Sequence, residues 1–466
     1  MLFSSLIFIM VFLPVVFFGS RILRKNKYVN FFLLLASLFF YAWGEPVYVL
    51  LMLASILMNY SFGLLIERAR KARMEKGRLK LHLGIITALN LALLFYFKYC
   101  NMLIGWINTL FRAKIPALSL SLPIGISFYT FQALSYVIDV YRGKVKAQRS
   151  ITDFGLYISM FPQLIAGPIV RYKNIEEQFK DHPVDLVQVR LGLFLFVKGL
   201  AKKVLLANVL GGLFTEITSL PASSLTALTA WTGALAYSLQ LYFDFSGYSD
   251  MAIGLGRLLG FTFSENFDHP YTAVSVTDFW RRWHISLSSW FREYVYIPLG
   301  GNRVSTGRHI RNLLIVWMLT GLWHGASLNF ILWGLYYGIW LILEKYVLGD
   351  FLRKHRIAGR IYTLMIVVLG WMLFAITDFK ALGMYLRAMF GMGAGAADHR
   401  SFAYLMSYGI VLLAGAVCSA GWPGKQLGTL YRKHERVLAG ILAAAFVLCL
   451  ASLAYDSFNP FLYFRF

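Results

Sequence analysis

The chain has 466 residues, of which 58% are hydrophobic and 14% charged, and its formal net charge is +23. Soluble domains average about 25% charged residues, and no soluble fold has enough interior to bury so much apolar surface. The composition therefore excludes a soluble globular protein and a disordered chain, and it indicates an integral membrane protein.

Apolar stretches follow one another along the whole chain, and crossing the hydrocarbon takes about 20 residues. We predict an all-α, polytopic membrane protein, one domain over residues 1–466, with about 11 to 13 membrane helices including re-entrant or interfacial segments. The stretch 154–170 is broken by two prolines and a glycine, which favours a re-entrant segment. The stretches are 2–19, 28–43, 47–66, 81–97, 118–141, 154–170, 191–213, 225–245, 312–323, 330–347, 361–376, 402–420 and 437–453.

Basic clusters fall in alternate loops. The positive-inside rule places these loops in the cytoplasm and both termini outside. Since the clusters lack the interleaved aromatic residues that stack bases, we expect lipid contacts and no nucleic acid partner. The clusters are Arg21, Arg24, Lys25 and Lys27; Arg68, Arg70, Lys71, Arg73, Lys76, Arg78 and Lys80; Arg142, Lys144, Lys146 and Arg149; Arg353, Lys354, Arg356 and Arg360; and Lys425, Arg432, Lys433 and Arg436.

Polar residues interrupt the apolar stretches at a few places, and ionisable groups at membrane depth usually face a cavity or a partner. Asp244 and Asp250 are six residues apart, so on a helix they point about 120° apart and form no paired acid–base site. Helix-end capping and a site role both stay open for them. Gln132 lies in a Pro- and Gly-broken stretch that predicts either a water-filled cavity or helix kinks.

Residues 278–301 are predicted to form an amphipathic helix at the membrane interface. Its apolar face falls within about 120° at 100° per residue. His284 lies near the border of the two faces, and an interfacial hydrogen bond and a site role are equally weighted for it. The apolar face consists of Phe279, Trp280, Trp283, Leu287, Trp290, Phe291 and Tyr294; the polar face consists of Arg281, Arg282, Ser289, Arg292 and Glu293.

His324 lies in the apolar stretch LTGLWHGAS. A titratable side chain is costly in a membrane segment and usually has a functional role there. Gly321 and Gly325 flank it and permit the close approach of a substrate or of another backbone. We favour a catalytic role over a satisfied core histidine. Nucleotide-loop, zinc-protease and CxxC motifs are absent from the sequence, so we expect no metal and no tightly bound cofactor.

The chain resembles the membrane-bound O-acyltransferase (MBOAT) family, and specifically its bacterial branch that acetylates polysaccharides. The resemblance runs from MLFSSLIFI to NPFLYFRF. Between these ends it is carried by LPIGISFYTFQALSYVIDVYRG, AGPIVRY, LYFDFSGYSDMAIGLG, FWRRWHISLSSW, YIPLGGNR and LWHGA. It departs at Glu293, where the family commonly has aspartate, and at Asn266–Tyr271 (NFDHPY), where His269 adds a titratable group.

The resemblance implies a bowl of membrane helices with a thin centre and two site histidines. By motif these are His324, as general base, and His284, which helps to hold the donor. Acetyl-CoA is the implied donor, with Arg281, Arg282 and Arg303 as candidate contacts for its phosphates, although lipid phosphate is an equally good partner for them. Asp244 and Asp250 are expected to orient neighbouring groups, and Gln132 completes the substrate- or donor-binding candidates.

The function so implied is transfer of an acetyl group from a cytoplasmic thioester across the cell membrane, for O-acetylation of an extracytoplasmic polysaccharide. A separate extracytoplasmic acetyltransferase is the expected partner. The acceptor stays open among alginate, cellulose, peptidoglycan and other glycans. Three alternatives are kept: D-alanyl transfer to teichoic acid, a non-catalytic transporter of acyl donor or saccharide, and a scaffold that only recruits the secreted transferase.

Overall fold

The computed structural model describes residues 1–23, 25–165, 167–421 and 434–455. No β-strand occurs in these ranges, and the predicted all-α class is confirmed. Arg24, Lys425, Arg432, Lys433 and the terminal NPFLYFRF lie outside the described residues. Seven helices in the described part are long and apolar enough to cross a membrane, which agrees with a multi-pass membrane protein. They are Asn26–Gly44, Tyr48–Lys71, Lys76–Phe111, Leu328–Lys354, Arg356–Ala375, His399–Ser419 and Arg436–Tyr455.

The remaining apolar stretches fold into helices that are shorter or more polar. The described part of the chain also contains the π-helical turns Phe8–Phe12, Lys202–Ala207, Arg292–Tyr296 and Glu344–Leu348. The helices are α1 Leu13–Ile22, α2 Asn26–Gly44, α3 Tyr48–Lys71, α4 Lys76–Phe111, α5 Ile126–Arg142, α6 Ile151–Ser159, α7 Phe161–Leu164, α8 Leu186–Ala201, α9 Asn208–Ser219, α10 Ala227–Leu258, α11 Val276–Arg282, α12 Ile285–Phe291, α13 Thr306–His324, α14 Leu328–Leu343, α15 Gly349–Lys354, α16 Arg356–Ala375, α17 Phe379–Met389, α18 His399–Ser419 and α19 Glu435–Tyr455.

The chain divides into two compact units. The first unit comprises Met1–Phe196 and Ser249–Ser264, and the second comprises Val197–Tyr248 and Glu265–Phe466. Within the first unit, α2 packs on α6, and α3 packs on α5. Asn59 on α3 and Asn90 on α4 exchange two hydrogen bonds of 2.9 and 3.1 Å, which satisfies both buried amides.

The described residues of the stretch 154–170 form no long helix in the first unit. The stretch contains the end of α6, which has nine residues, and α7, which has four, and both are too short to span a bilayer. Gln163 is fully buried there and donates to the carbonyl of Tyr157 at 2.6 Å. The broken backbone is therefore enclosed by protein, which is the condition under which it is tolerated at membrane depth.

Gly254 on α10 allows two helices to pack closely together. A Cβ on Gly254 would lie 2.6 Å from the carbonyl oxygen of Gly192 and 2.7 Å from the amide nitrogen of Phe196. Both neighbours belong to α8 in the first unit, so the contact brings two helix backbones together. The segment serves packing, and a nucleotide loop is not formed.

In the second unit, residues 278–301 depart from the prediction of one interfacial helix, which is wrong in two respects. The helix breaks between α11 and α12, where His284 has a left-handed backbone with φ 45° and ψ 54°. The seven residues of the predicted apolar face are all buried in protein. Trp280, for example, contacts Trp317 and Tyr337 at ring-centroid distances of 4.8 and 4.9 Å. The aromatic face is thus part of the core of this unit.

Helices α13 and α14 pack through glycines that approach the opposite backbone. A Cβ on Gly321 would meet the carbonyl oxygen of Phe330 at 2.1 Å, and one on Gly334 would meet that of Trp317 at 2.2 Å. A Cβ on Gly325 would strike the ring of Phe330. Gly321 therefore serves close approach of another backbone, one of the two interpretations that its position suggested, and Gly325 makes room for the ring of Phe330.

Candidate functional site

A cavity of about 340 Å³ in the second unit brings together three of the predicted site residues. His284, His324 and Arg281 all line it. Its walls come mainly from α11, α12, the π-helical turn Arg292–Tyr296 and α13, and they carry the indoles of Trp280, Trp283 and Trp317. This volume is within the range of small-molecule sites, which are mostly apolar with a few convergent polar groups.

The other predicted site residues lie elsewhere. Arg282 and Arg303 belong to the second unit but do not line this cavity, and Arg282 is hydrogen-bonded to Asp278 at 2.9 Å. Asp244, also in the second unit, forms a buried ion pair with Lys203 at 2.7 Å. Gln132 and Asp250 belong to the first unit. Gln132 is fully buried, and neither of its amide atoms has a hydrogen-bond partner among the described residues.

His284 is held in place by Asn266. The amide nitrogen of Ile285 donates to the carbonyl oxygen of Asn266 at 3.0 Å, and this bond fixes the chain that leaves the histidine. The side-chain oxygen of Asn266 accepts from the amide nitrogen of Ser286 at 3.1 Å and from its hydroxyl at 2.9 Å. These hydrogen bonds together hold His284 in the left-handed region, which a non-glycine residue adopts only when its surroundings fix the backbone.

The same contacts define the tautomer of His284. Nδ1 lies 3.2 Å from Oδ1 of Asn266. That atom must be the oxygen, because a backbone N–H donates to it, so Nδ1 is the donor and carries the proton. Nε2 then carries the lone pair, and it is buried without a hydrogen-bond partner in the described part of the chain. Burial lowers the pKa of His284 to about 3, so the ring is neutral at physiological pH.

His324 ends α13 and is enclosed by aromatic rings. Gly325 follows it in extended conformation, which terminates the helix at the histidine. The imidazole is 8% exposed and stands edge-on to Trp333 and Phe374 at 5.0 and 5.2 Å. Trp323 contacts both site histidines, at 5.0 Å from His324 and 5.8 Å from His284. One indole therefore packs against both imidazoles.

Cationic side chains also line the cavity. Arg281, Arg292 and Lys345 are among its lining residues, and none of them forms an ion pair with any residue that the structure describes. The nearby carboxylate of Glu344 is already engaged, since it accepts from Val276 and Thr277 at the start of α11. The cavity thus offers positive charge to an anionic ligand.

Comparison with known proteins gives the same assignment as the sequence motifs. The model of the membrane-bound O-acyltransferase family matches residues 144–386, which contain every cavity-lining residue. A probable alginate O-acetylase of Pseudomonas putida is 38% identical over the whole of both chains. The chain belongs to the MBOAT family. It is accordingly an O-acyltransferase.

Two further relatives extend this comparison. The probable alginate O-acetylase of Pseudomonas aeruginosa is 43% identical over 84% of this chain and 75% of its own. The peptidoglycan O-acetyltransferase of Helicobacter pylori is 38% identical over 86% of this chain and 82% of its own.

Sequence reasoning missed several residues of this MBOAT cavity. The sequence pattern puts Arg292 on a polar helix face and Lys345 inside an apolar span, and it suggests no role for either. The motifs show Asn266 only as one position of a string, although its oxygen orients His284. No motif marks His309, yet it lines the cavity and is 6% exposed. The available signal was a histidine three residues before an apolar stretch.

Proposed function

We propose that this acyltransferase moves an acetyl group from cytoplasmic acetyl-CoA across the membrane for O-acetylation of an extracytoplasmic polysaccharide, with His324 as general base toward the acceptor hydroxyl. The observation that carries the proposal is the cavity, which combines three histidines, His284, His309 and His324, with three cations that have no ion-pair partner among the described residues. The proposed location is the cell membrane, with the basic loops and the donor in the cytoplasm and both termini outside.

The chemistry requires a base because an alcohol is a weak nucleophile. In the proposed step, His324 takes the hydroxyl proton while the oxygen attacks the thioester carbonyl. The carbon–sulfur bond then breaks, and the proton passes to the departing thiolate, which gives the acetyl ester and free CoA. Histidine suits this exchange because its ordinary pKa of about 6.5 lies near physiological pH.

His284 is proposed to hold the donor. Its Nε2 is an acceptor in the tautomer fixed by Asn266, so it can receive an N–H of the amide-rich pantetheine arm. It cannot donate to the oxyanion while that tautomer persists. Because His284 is an acceptor at Nε2, we assign donor binding to His284 and proton exchange to His324, which ends α13.

The cations are proposed to bind the phosphates of the donor. Arg281 keeps the role that the motif suggested, and Arg292 and Lys345 join it because they line the same cavity. Arg282 is assigned to the structural bond with Asp278, and Arg303 does not line the cavity. Guanidinium groups bind phosphate through paired hydrogen bonds, and an ammonium adds a point charge.

A polysaccharide acceptor is supported by the names of two relatives, a probable alginate O-acetylase and a peptidoglycan O-acetyltransferase. Because the chain consists very largely of apolar segments, we assign polymer binding to a separate extracytoplasmic acetyltransferase that receives the acetyl group. Reconstitution with candidate glycans, with and without such a partner, tests this assignment through the acetyl ester recovered on the polymer.

The decisive experiment supplies labelled acetyl-CoA together with a glycan acceptor and the extracytoplasmic partner, and it measures CoA release and acetyl ester formation with purified wild type and His324→Ala. We expect the rate of the variant to be at least about 100-fold below that of the wild type, since a general base usually contributes this much. His399→Ala is the matched control, since His399 is exposed and lies outside the cavity. Unchanged release by His324→Ala contradicts the base. Absence of CoA release by the wild type favours a transporter or scaffold, and turnover only with a D-alanyl carrier protein favours the teichoic acid reaction.

A further inference from the structure

His309 connects the cavity to an exposed tyrosine through two short hydrogen bonds. Its Nε2 lies 2.8 Å from the hydroxyl of Tyr296, and its Nδ1 lies 2.6 Å from the hydroxyl of Tyr346. Tyr296 and His309 both line the cavity, whereas Tyr346 does not and is 43% exposed. Both ring nitrogens are therefore occupied by phenols that can donate or accept.

The protonation state of His309 controls what Tyr296 can offer a ligand. A neutral imidazole has one N–H, so one of the two phenols must donate its only proton to the other nitrogen. An imidazolium has two N–H groups and donates to both phenol oxygens. Tyr296 is then free to direct its O–H elsewhere, including to an oxygen of a bound anion.

Charges around His309 favour the neutral ring when no anion is present. Burial and then the positive charge of Lys345 lower the pKa of His309. Arg292 and Lys345 line the same cavity, and Arg308 and Arg311 are the cations nearest to His309 along α13. No carboxylate of the described chain lies within ion-pair distance of it. The negative charge that would favour the imidazolium must therefore come from a ligand.

We propose that His309 is a pH-dependent recognition residue for phosphate, which binds the diphosphate of the acyl donor more tightly when protonated. Protonation adds a positive charge beside Arg292 and Lys345, and it ensures that the O–H of Tyr296 is free to donate, because both ring nitrogens then carry a proton. Binding of the phosphate and uptake of a proton are thereby linked, so each promotes the other. This inference rests on the proposed function, because it takes a phosphorylated thioester as the donor.

The test uses dephospho-coenzyme A, whose diphosphate keeps its charge over the working range. Coenzyme A carries in addition a phosphomonoester that titrates near pH 6, and this group would oppose the effect. Binding is measured by isothermal titration calorimetry at pH 5.5 and 8.0, and in two buffers of different ionisation enthalpy. We expect about 10-fold tighter binding at pH 5.5, with uptake of a fraction of one proton.

Variants distinguish His309 from the other titratable groups. His309→Gln is expected to bind with similar affinity at both pH values, whereas the control His399→Gln retains the wild-type pH dependence. Tyr296→Phe is expected to keep part of the dependence, because the charge of the imidazolium remains. If His309→Gln fails to fold, Tyr296→Phe provides the test of the hydrogen-bonded pair instead. Pantetheine, which has no phosphate, is expected to bind equally at both pH values.

The outcomes separate this inference from the proposed function. If the wild type binds dephospho-coenzyme A equally well at both pH values, or if His309→Gln keeps the full pH dependence, the role of His309 is refuted while acetyl-CoA stays the donor. If the wild type binds neither dephospho-coenzyme A nor coenzyme A at either pH, the acetyl-CoA donor is refuted together with this inference.

Discussion

The Nδ1 atom of His284 lies 3.2 Å from Oδ1 of Asn266, an oxygen that also accepts the backbone N–H of Ser286. This arrangement makes the asparagine a fixed acceptor, and it leaves the lone pair of the imidazole on Nε2. The residue that gives His284 its chemical polarity thus lies 18 positions away in sequence, in a loop outside the helices.

Replacing Asn266 with Asp should convert His284 into a pH-dependent acceptor. A carboxylate next to Nδ1 stabilises the imidazolium, so the pKa of His284 rises and Nε2 carries a proton at lower pH. We expect activity about 10-fold below wild type near pH 6 and recovery as the pH rises, because the deprotonated fraction then increases. The pH profile of kcat/KM for CoA release checks this. Asn266→Leu should stay impaired at every pH, and equal profiles for Asn266→Asp and wild type would contradict the assignment.

Burial of neutral His284 should make the protein less stable in acid. Its pKa of about 3 lies below the ordinary value of about 6.5, so the unfolded state binds more protons between these values. The contribution of neutral His284 to the stability of the folded protein is fully present above about pH 6.5 and is lost as the pH falls toward 3. Between pH 7.5 and pH 5, protonation of this histidine in the unfolded state should lower the free energy of unfolding by about 2 kcal/mol. Thermal unfolding in detergent should show a smaller loss of Tm for His284→Gln than for wild type, and identical losses would argue against it.

The cations of the cavity should govern donor affinity. We expect Arg292→Ala and Lys345→Ala each to raise the KM for acetyl-CoA about 5- to 10-fold with little change in kcat, because phosphate contacts remote from the thioester contribute uniform binding. Initial rates at varied acetyl-CoA concentration measure this, and the effect should shrink as salt is added. Lys380→Ala, an exposed residue on α17, is the control. A fall in kcat at unchanged KM would contradict the phosphate role.

The contact between α13 and α14 should be intolerant of a single methyl group at Gly321. Its Cβ would lie 2.1 Å from the carbonyl oxygen of Phe330, so the backbones must separate. Gly321→Ala is expected to cost about 1–3 kcal/mol and to displace His324, which ends the same helix. Gly307→Ala on α13 is the matched control, since its Cβ would meet no atom within 4 Å. Detergent Tm and CoA release measure both effects, and equal behaviour of the two variants would refute the packing argument.

The sequence predicted the helical class and named three residues that line the cavity, because motif and membrane burial mark His284, His324 and Arg281. It could not predict the break at His284, since the apolar periodicity of residues 279–294 continues across the left-handed residue. Nor could it predict that the aromatic face is buried in protein, because lipid and a protein core select the same apolar side chains. Arg292 and Lys345 were missed because their roles depend on which helices surround the cavity.

The ion pair between Lys203 and Asp244 in the second unit gives the last prediction. Nζ and Oδ1 are 2.7 Å apart, and the two side chains are only 4% and 2% exposed. Removing one partner leaves the other charge buried, which typically costs about 3–5 kcal/mol, whereas removing both leaves no charge to bury. We therefore expect Lys203→Met and Asp244→Leu each to lower the Tm in detergent strongly, and the double variant to regain most of the loss. If the two losses simply add, the pair is not energetically coupled and Asp244 owes its burial to other contacts.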